Sequence, residues 1–437
     1  MYLLSETSTR AIRTIAAQAQ DDSILLCTTS APIRWEAYDL ERMQRILHDS
    51  GAGFVYADYR QEIEDSLVNM PLIDYQTGSL RDDFDFGPIW LLRTDAFREA
   101  VARMDKDYAY AGLYDLRLKL SERWPIVHIN ECLYTVAGDK PQATNQFTYV
   151  DPRNRDLQLE MEAACTDHLR STGAWLKPDF APTDLTQGEF KHEASVIIPV
   201  RNRVRTIRDA IRSALNQETN FTYNVLIVDN HSNDGTTEAI EEFANDHRVV
   251  HLIPERSDLG IGGCWNLAVH HKACGRFAVQ LDSDDLYKDC HTLSSLINAF
   301  YEQQCAMVVG AYLMTDFHLN VLPPGLIDHR EWTTDNGHNN LLRVNGVGAP
   351  RAFYTPLLRQ IQVPNVSYGE DYALALQFSR RYRIGRVYEP VYLCRRWEGN
   401  SDASPSRTLS NARNLYKDRL RTWEVQARIH LNRNGHE

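Results

Sequence analysis

The segment Ala194-Ser195-Val196-Ile197-Ile198-Pro199-Val200 constrains the fold most, because it is β-branched and apolar on both faces. A strand of that kind has no solvent side and belongs in the interior of a parallel sheet covered by helices. The downstream residues keep to that pattern. Thr206 to Leu215 carries Ile207, Ala210, Ile211 and Ala214 at helical spacing. Tyr223 to Val228 reads as a second strand, with a helix after it from Thr236 or Thr237 to Phe243. Val249 to Ile253 is a third strand, leading into a glycine-rich stretch and a helix around Asn266 to His271. Arg276 to Leu281 is a fourth strand and ends at Asp282. Strand–helix alternation of this kind predicts a doubly wound α/β domain, in which ligands sit beyond the carboxyl ends of the strands.

Each strand end in this stretch leads into polar residues. Asp282-Ser283-Asp284-Asp285 comes first in weight, since clustered carboxylates repel unless a cation joins them. Mg²⁺ and Mn²⁺ take oxygen ligands and bridge carboxylates to substrate phosphates. The plain alternative is an acidic turn ahead of Tyr287. Asp229, at the end of the second strand, is placed to meet a base, whereas Asp234-Gly235-Thr236 reads as a turn and helix cap. Pro199, Arg201 and Asn202 end the first strand beside a helix N-terminus, a setting that suits a nucleotide. Arg201 and Arg203 fit solvated surface charges equally well. Leu259 to Asn266 opens a helix with glycines that let backbone approach a phosphate or sugar, but its spacing fits neither phosphate-loop nor dinucleotide fingerprints. Gly369-Glu370-Asp371 begins an amphipathic helix, either as favourable charges in a first turn or as a general base reaching a hydroxyl.

These segments, in this order, resemble the family 2 glycosyltransferases over roughly residues 193–402. The resemblance implies a GT-A fold with a mostly parallel sheet, a nucleotide-diphosphate sugar donor, Mn²⁺ or Mg²⁺, and inversion at the anomeric carbon. It implies that Asp229 binds the base, that Asp282 serves the ribose and metal region, and that Asn266 belongs to the donor site. Asp284 would be the principal metal ligand with Asp282 and Asp285 nearby, Asp371 the catalytic base, and Glu370 a contact to donor or acceptor sugar. The chain departs from the family at Trp397, in Arg395-Arg396-Trp397-Glu398-Gly399-Asn400-Ser401, where many members carry a histidine. Arg396 or Arg395 is expected to face the diphosphate instead. The rival readings are a retaining transferase on the same site, a non-catalytic nucleotide-sugar or glycan binder, and a metal-dependent phosphatase or nucleotidyltransferase.

Upstream, Tyr110 to Tyr134 aligns without gaps to Tyr368 to Tyr392, nine of the 25 columns being identical. The carboxylates are missing from the first copy, where Gly112-Leu113 stands for Glu370-Asp371 and Cys27-Thr28-Thr29-Ser30 for the acidic cluster. The expected plan is a smaller, catalytically empty α/β domain at 1–172 resembling the acceptor half of the transferase. A linker at 173–192, the transferase at 193–402 and a helical tail at 403–437 complete it. That tail is rich in Arg and Lys, which reads as a solvated basic face or as peripheral contact with anionic lipid. The net charge of -12 argues against non-specific nucleic-acid binding. Scattered cysteines, the lack of a basic–apolar leader and the lack of a spanning segment suggest a cytoplasmic protein, at most peripheral at the inner membrane face. A glycan or lipid-linked saccharide is the expected acceptor, with self-association an open option.

Overall fold

The computed structural model describes residues 1–64, 66–138, 154–330, 332–400 and 405–435. Ser401 and the boundary expected at 402–403 lie outside these residues. The chain divides into two compact units. One comprises Met1–Leu176, Leu342–Val344 and Pro405–Glu437, and the other Lys177–Leu341 and Asn345–Ser404.

The second unit is built on the apolar run at Ala194. Its strands and helices are β10 (Ala194–Val200), α6 (Ile207–Leu215), β11 (Tyr223–Asp229), α7 (Thr236–Glu241), β12 (Val249–Leu252), α8 (Ile261–His270), β13 (Phe277–Gln280) and β14 (Leu286–Tyr287). Then come α9 (Thr292–Gln303), β15 (Met307–Asp316), β16 (Val321–Ile327), α10 (Gly337–Asn340), β17 (Arg351–Tyr354), α11 (Thr355–Ile361), α12 (Glu370–Arg381) and β18 (Ile384–Arg396). The sheet runs β12-β11-β10-β13-β17-β15-β18-β14, with β16 paired to β15. The four strands β12, β11, β10 and β13 are mutually parallel, so their carboxyl ends share one edge. Val196, Ile197, Ile198, Val225 to Val228 and Phe277 to Val279 are fully buried, as two-sided apolar strands require. Each such side chain contributes roughly 1.5–3 kcal/mol relative to an exposed one. The helix expected from Asn266 begins five residues earlier, directly after Gly260. Gly262 permits this: a Cβ there would lie 1.8 Å from the Pro364 carbonyl oxygen.

The first unit holds β1 (Tyr2–Leu3), α1 (Thr9–Gln18), β2 (Ser23–Cys27), β3 (Ile33–Arg34), α2 (Ala37–Asp49), β4 (Phe54–Ala57), β5 (Tyr59–Ile63) and β6 (Ser66–Met70). It continues with β7 (Ile89–Arg93), α3 (Thr94–Ala102), α4 (Gly112–Ser121), β8 (Ile126–Ile129), β9 (Thr135–Val136), α5 (Arg155–Thr172) and, from the end of the chain, α13 (Arg407–Asn434). Phe54, Tyr56, Phe84, Phe86 and Trp90 interlock at its centre.

Residues 173–192 form no helix or strand and are mostly exposed, with Ala174, Leu176 and Leu185 buried and the Asp184 carbonyl accepting from Tyr354 Oη at 2.9 Å. The expected helical tail is α13, which belongs to the first unit. Ser79 Oγ donates to Asp418 Oδ2 at 3.1 Å and the Gly78 amide donates to Thr422 Oγ1 at 3.0 Å. Lys417, Arg421 and Arg428 are buried, and Arg421 and Arg428 pair with Asp418 and Glu424 at 2.9 and 2.7 Å. Much of the expected basic face is therefore neutralised inside the fold. Among the described residues, no helix is long and apolar enough to cross a membrane.

Candidate active site

The loops that leave β10 and β11 are tied to each other. Asn202, at φ +54°, donates its amide to Ser232 Oγ at 2.9 Å, and its side-chain oxygen accepts from the Asn233 amide at 2.9 Å. Asp234 accepts from the Val204 amide at 3.1 Å and the Thr236 amide at 3.0 Å, the turn-and-cap role expected of it. Asp229 is fully buried at the end of β11. Its carboxylate accepts from the Ser232 amide at 3.0 Å and from Thr237 Oγ1, with His251 Nε2 at 3.6 Å. Burial opposes its charge, but the Ser232 and Thr237 bonds outweigh it and hold the carboxyl below its usual range. Asp229 thus shapes the loop that would meet a base. Pro199 lies within β10, and Arg201 is exposed just beyond it.

Asn266 is engaged with backbone. Its Nδ2 donates to the Val363 carbonyl at 2.6 Å and its Oδ1 accepts from the Val363 amide at 3.0 Å, which pins the segment leading to α12.

The acidic cluster divides into different tasks. The Asp282 amide donates to Tyr392 Oη at 3.0 Å, and its carboxylate accepts from Gln280 Nε2 at 2.8 Å. Asp284 keeps its carboxylate partly open to solvent. Its Oδ2 lies 3.3 Å from Trp397 Nε1, 3.2 Å from Asn400 Nδ2 and 3.7 Å from Arg203 Nε. Asp285 faces the wall: buried, it accepts from the Arg395 amide at 2.8 Å and so fixes β18. Arg395 is buried with its guanidinium against the Asp284 carbonyl and Asp209. Arg396 is half-buried at the end of β18. Burial raises the carboxyls of both Asp282 and Asp285, and the neighbouring Asp284 charge adds to it. A cation at Asp282 and Asp284 would relieve that cost.

The donor chemistry fits a hard divalent cation, which takes carboxylate oxygens: Asp282 and Asp284 stand two residues apart, the second partly solvated. Trp397 adds nothing to it, because an indole N–H only donates.

Asp371 and Glu370 occupy the first turn of α12, entered through Gly369 at φ +82°. Arg351, on β17, was not singled out by the sequence, yet it joins the two halves of the site. Its Nη1 donates to Asp371 Oδ2 and to the Gly348 carbonyl, and its amide donates to Gln280 Oε1 at 3.1 Å. Burial works against its charge, but Asp371, Asp282 and Glu370 hold the guanidinium above its usual range. Glu370 is the uncompensated member. Burial, then the Asp371 charge, pushes its carboxyl up to about 8, and its Oε2 is buried without a hydrogen-bond partner among the described residues. Nothing in the sequence around Arg351 marked it; its partners are 20 and 71 residues away.

Comparison with known proteins bears on this assembly. Residues 195–349 match the model described as glycosyl transferase family 2. Over 193 residues the chain is 25% identical to TuaG of Bacillus subtilis (strain 168), whose name assigns it as a glycosyltransferase to teichuronic acid biosynthesis; this covers 44% of the chain and 74% of the relative. An uncharacterized glycosyltransferase of Rickettsia felis is 36% identical over 112 residues, 25% of this chain and 18% of that one. Among solved structures, S. aureus TarS 1–349 in complex with UDP-GlcNAc aligns with TM-score 0.41 and 20% identity, over 55% of this chain and 72% of that one. The mannosyltransferase PcManGT from Pyrobaculum calidifontis, in complex with GDP-Man and Mn²⁺, gives 0.37 and 17%, over 63% and 87%.

Proposed function

We propose, from a chain whose residues 195–349 form a glycosyl transferase family 2 domain, that it transfers a sugar from a nucleoside-diphosphate sugar to an acceptor hydroxyl with inversion. The observation that carries this reading is the convergence of Asp282, Arg351, Asp371 and Glu370 beyond the strand ends of that sheet. The tied loops after β10 and β11 cradle the nucleotide, with Pro199, Arg201 and Asn202 on one side and Asp229 setting the other. Asp282 and Asp284 would hold Mn²⁺ or Mg²⁺, which supplies neutralisation of the charge that builds on the leaving diphosphate. Arg396 faces the same charge.

Asp371 accepts the acceptor hydroxyl proton as that oxygen attacks the anomeric carbon. Arg351 orients the Asp371 carboxylate before the acceptor arrives. Glu370, protonated near neutral pH in the free protein, is able to donate a hydrogen bond to a sugar hydroxyl. The acceptor is a growing glycan or lipid-linked saccharide, a reading that the similarity to TuaG supports. Release of nucleoside diphosphate from a panel of nucleotide sugars, with Mn²⁺ or Mg²⁺ and with chelator, tests the proposal. Cation-dependent release from at least one donor is expected, and release indifferent to chelator would remove the cation from it.

A further inference from the structure

The two units can be compared strand by strand, each within itself. In the first, one sheet runs β1-β2-β7-β4-β8. The pairings are parallel, antiparallel, antiparallel and parallel in turn. In the second unit, β10-β13-β17-β15-β18 gives the same sequence of senses. The smaller sheet of the first unit runs β3-β9-β5-β6, antiparallel, parallel, antiparallel. The outer part of the second unit's sheet, β14-β18-β15-β16, repeats that as well. Registers agree: Phe54 pairs with Leu92 and Ile126, as Met307 pairs with Phe353 and Ile384.

Similar sheets arise without common descent, but their turns need not share hydrogen bonds. Here they do. Gly53 N donates to Pro125 O at 3.0 Å, as Ala306 N donates to Arg383 O at 3.0 Å. Thr94 N donates to Asp22 O at 3.0 Å and Thr355 N to Arg276 O at 2.9 Å. Both threonines also send Oγ1 one residue back, to Asp21 O and Gly275 O. Thr9 N donates to Tyr108 O at 2.9 Å, and Gly262 N to Val366 O at 3.0 Å. Tyr114 and Tyr372, both buried, donate their hydroxyls to Leu80 O and Leu341 O. Gly87 and Gly348, at φ +67° and +66°, turn the chain into β7 and β17. Matched positions keep one spacing within each stretch and shift only between stretches, as insertions in loops would produce.

We infer that residues 9–136 duplicate the fold of residues 262–394, with β1 standing where β10 stands, and that this first copy has no site for a nucleotide sugar or its cation. The second clause rests on the functional reading proposed above. Following the matched registers, Thr28, Ser30 and Ala31 stand at the positions of Asp282, Asp284 and Asp285. Gly112 and Leu113 stand at Glu370 and Asp371, and Trp90 at Arg351. No carboxylate of the site has a carboxylate counterpart. Among the described residues of the first unit there is also no counterpart of β11 or β12, the strands that frame the base-facing loop. β1 takes the sheet position of β10 and runs straight into α1, the counterpart of α8. What persists is the buried framework, including Leu116/Leu374 and Leu118/Leu376. The copy has kept the acceptor-side scaffold of a transferase and lost its donor chemistry.

Two experiments on the full chain test this and fail separately from the functional reading. Calorimetric titration with UDP and with GDP, each with Mn²⁺, is expected to give one site per chain in the native protein and none in the Asp229→Ala/Asp284→Ala double variant. Two sites, or a saturable site surviving in the variant, overturn the donor-free first copy. A crystal structure of the chain decides the duplication whatever the nucleotides do. Residues 9–136 superposed on 262–394 are expected to share strand order, register and the Thr94/Thr355 and Tyr114/Tyr372 hydrogen bonds. A different strand order, or loss of those bonds from one copy, refutes it.

Discussion

Replacing Glu370 by Gln converts an unsatisfied buried acid into a neutral amide of the same shape. In the native protein, burial and the Asp371 charge raise this carboxyl from an ordinary 4.5 to about 8. A carboxyl whose folded pKa lies above its unfolded value binds its proton more tightly in the native state. Its contribution to stability is therefore complete below pH about 4.5 and is lost as the pH rises through about 8. Each pKa unit corresponds to about 1.4 kcal/mol, so the full titration removes on the order of 5 kcal/mol. For a unit of this size one kcal/mol moves Tm by about 2–4 °C. Thermal unfolding of native protein and Glu370→Gln is measured from pH 5 to pH 9, without divalent cation and with chelator. The native transition should fall over that range relative to the variant by roughly 10 °C or more, and the variant should be the more stable form above pH 8. Parallel pH profiles for the two proteins would show that Glu370 carries no such penalty and would undo its assignment as a protonated donor.

Other perturbations separate the remaining roles. Asp284→Ala should abolish cation-dependent nucleotide binding while circular dichroism and unfolding stay close to native, because its carboxylate is partly solvated and supports no strand. Asp371→Asn should lower kcat by on the order of 10² or more while nucleotide affinity stays within a few-fold, read from steady-state kinetics beside a binding titration. Arg351→Gln leaves three carboxylates around a lost cation, and breaking a buried pair of this kind costs about 3–5 kcal/mol. Arg351→Lys should recover stability measured by thermal unfolding more fully than it recovers kcat, since a shorter lysine replaces the charge but not the planar Nη1 that reaches both Asp371 and Gly348.

The α/β plan of residues 194–281 was legible because β-branched runs buried on both faces alternate with helical spacing, and those patterns are local. The strand-end carboxylates were legible for the same reason. What they do was less so. Asp285 and Asn266 look like ligands in the sequence but are occupied by the Arg395 amide and the Val363 backbone, partners 110 and 97 residues away. Arg351 and Gln280, which connect the acidic cluster to α12, carry no local signal because their role exists only once β13 and β17 pair. The tail misled in the opposite direction. Arg421 and Arg428 read as surface charges until α13 packs into the first unit and Asp418 and Glu424 neutralise them. Tyr110 to Tyr134 disclosed a repeat over 25 columns, and the strand pairings extend the correspondence to regions where little identity remains.

The anomeric configuration of the product is the sharpest test of the proposed chemistry. With a donor found by nucleotide-release screening, proton NMR of the reaction with Mn²⁺ should show a product linkage opposite in configuration to the donor. It should also show no product for Asp371→Asn over the same interval. Retention of the donor's configuration, or turnover by Asp371→Asn at the native rate, would contradict the assignment of Asp371 as the base of a single displacement.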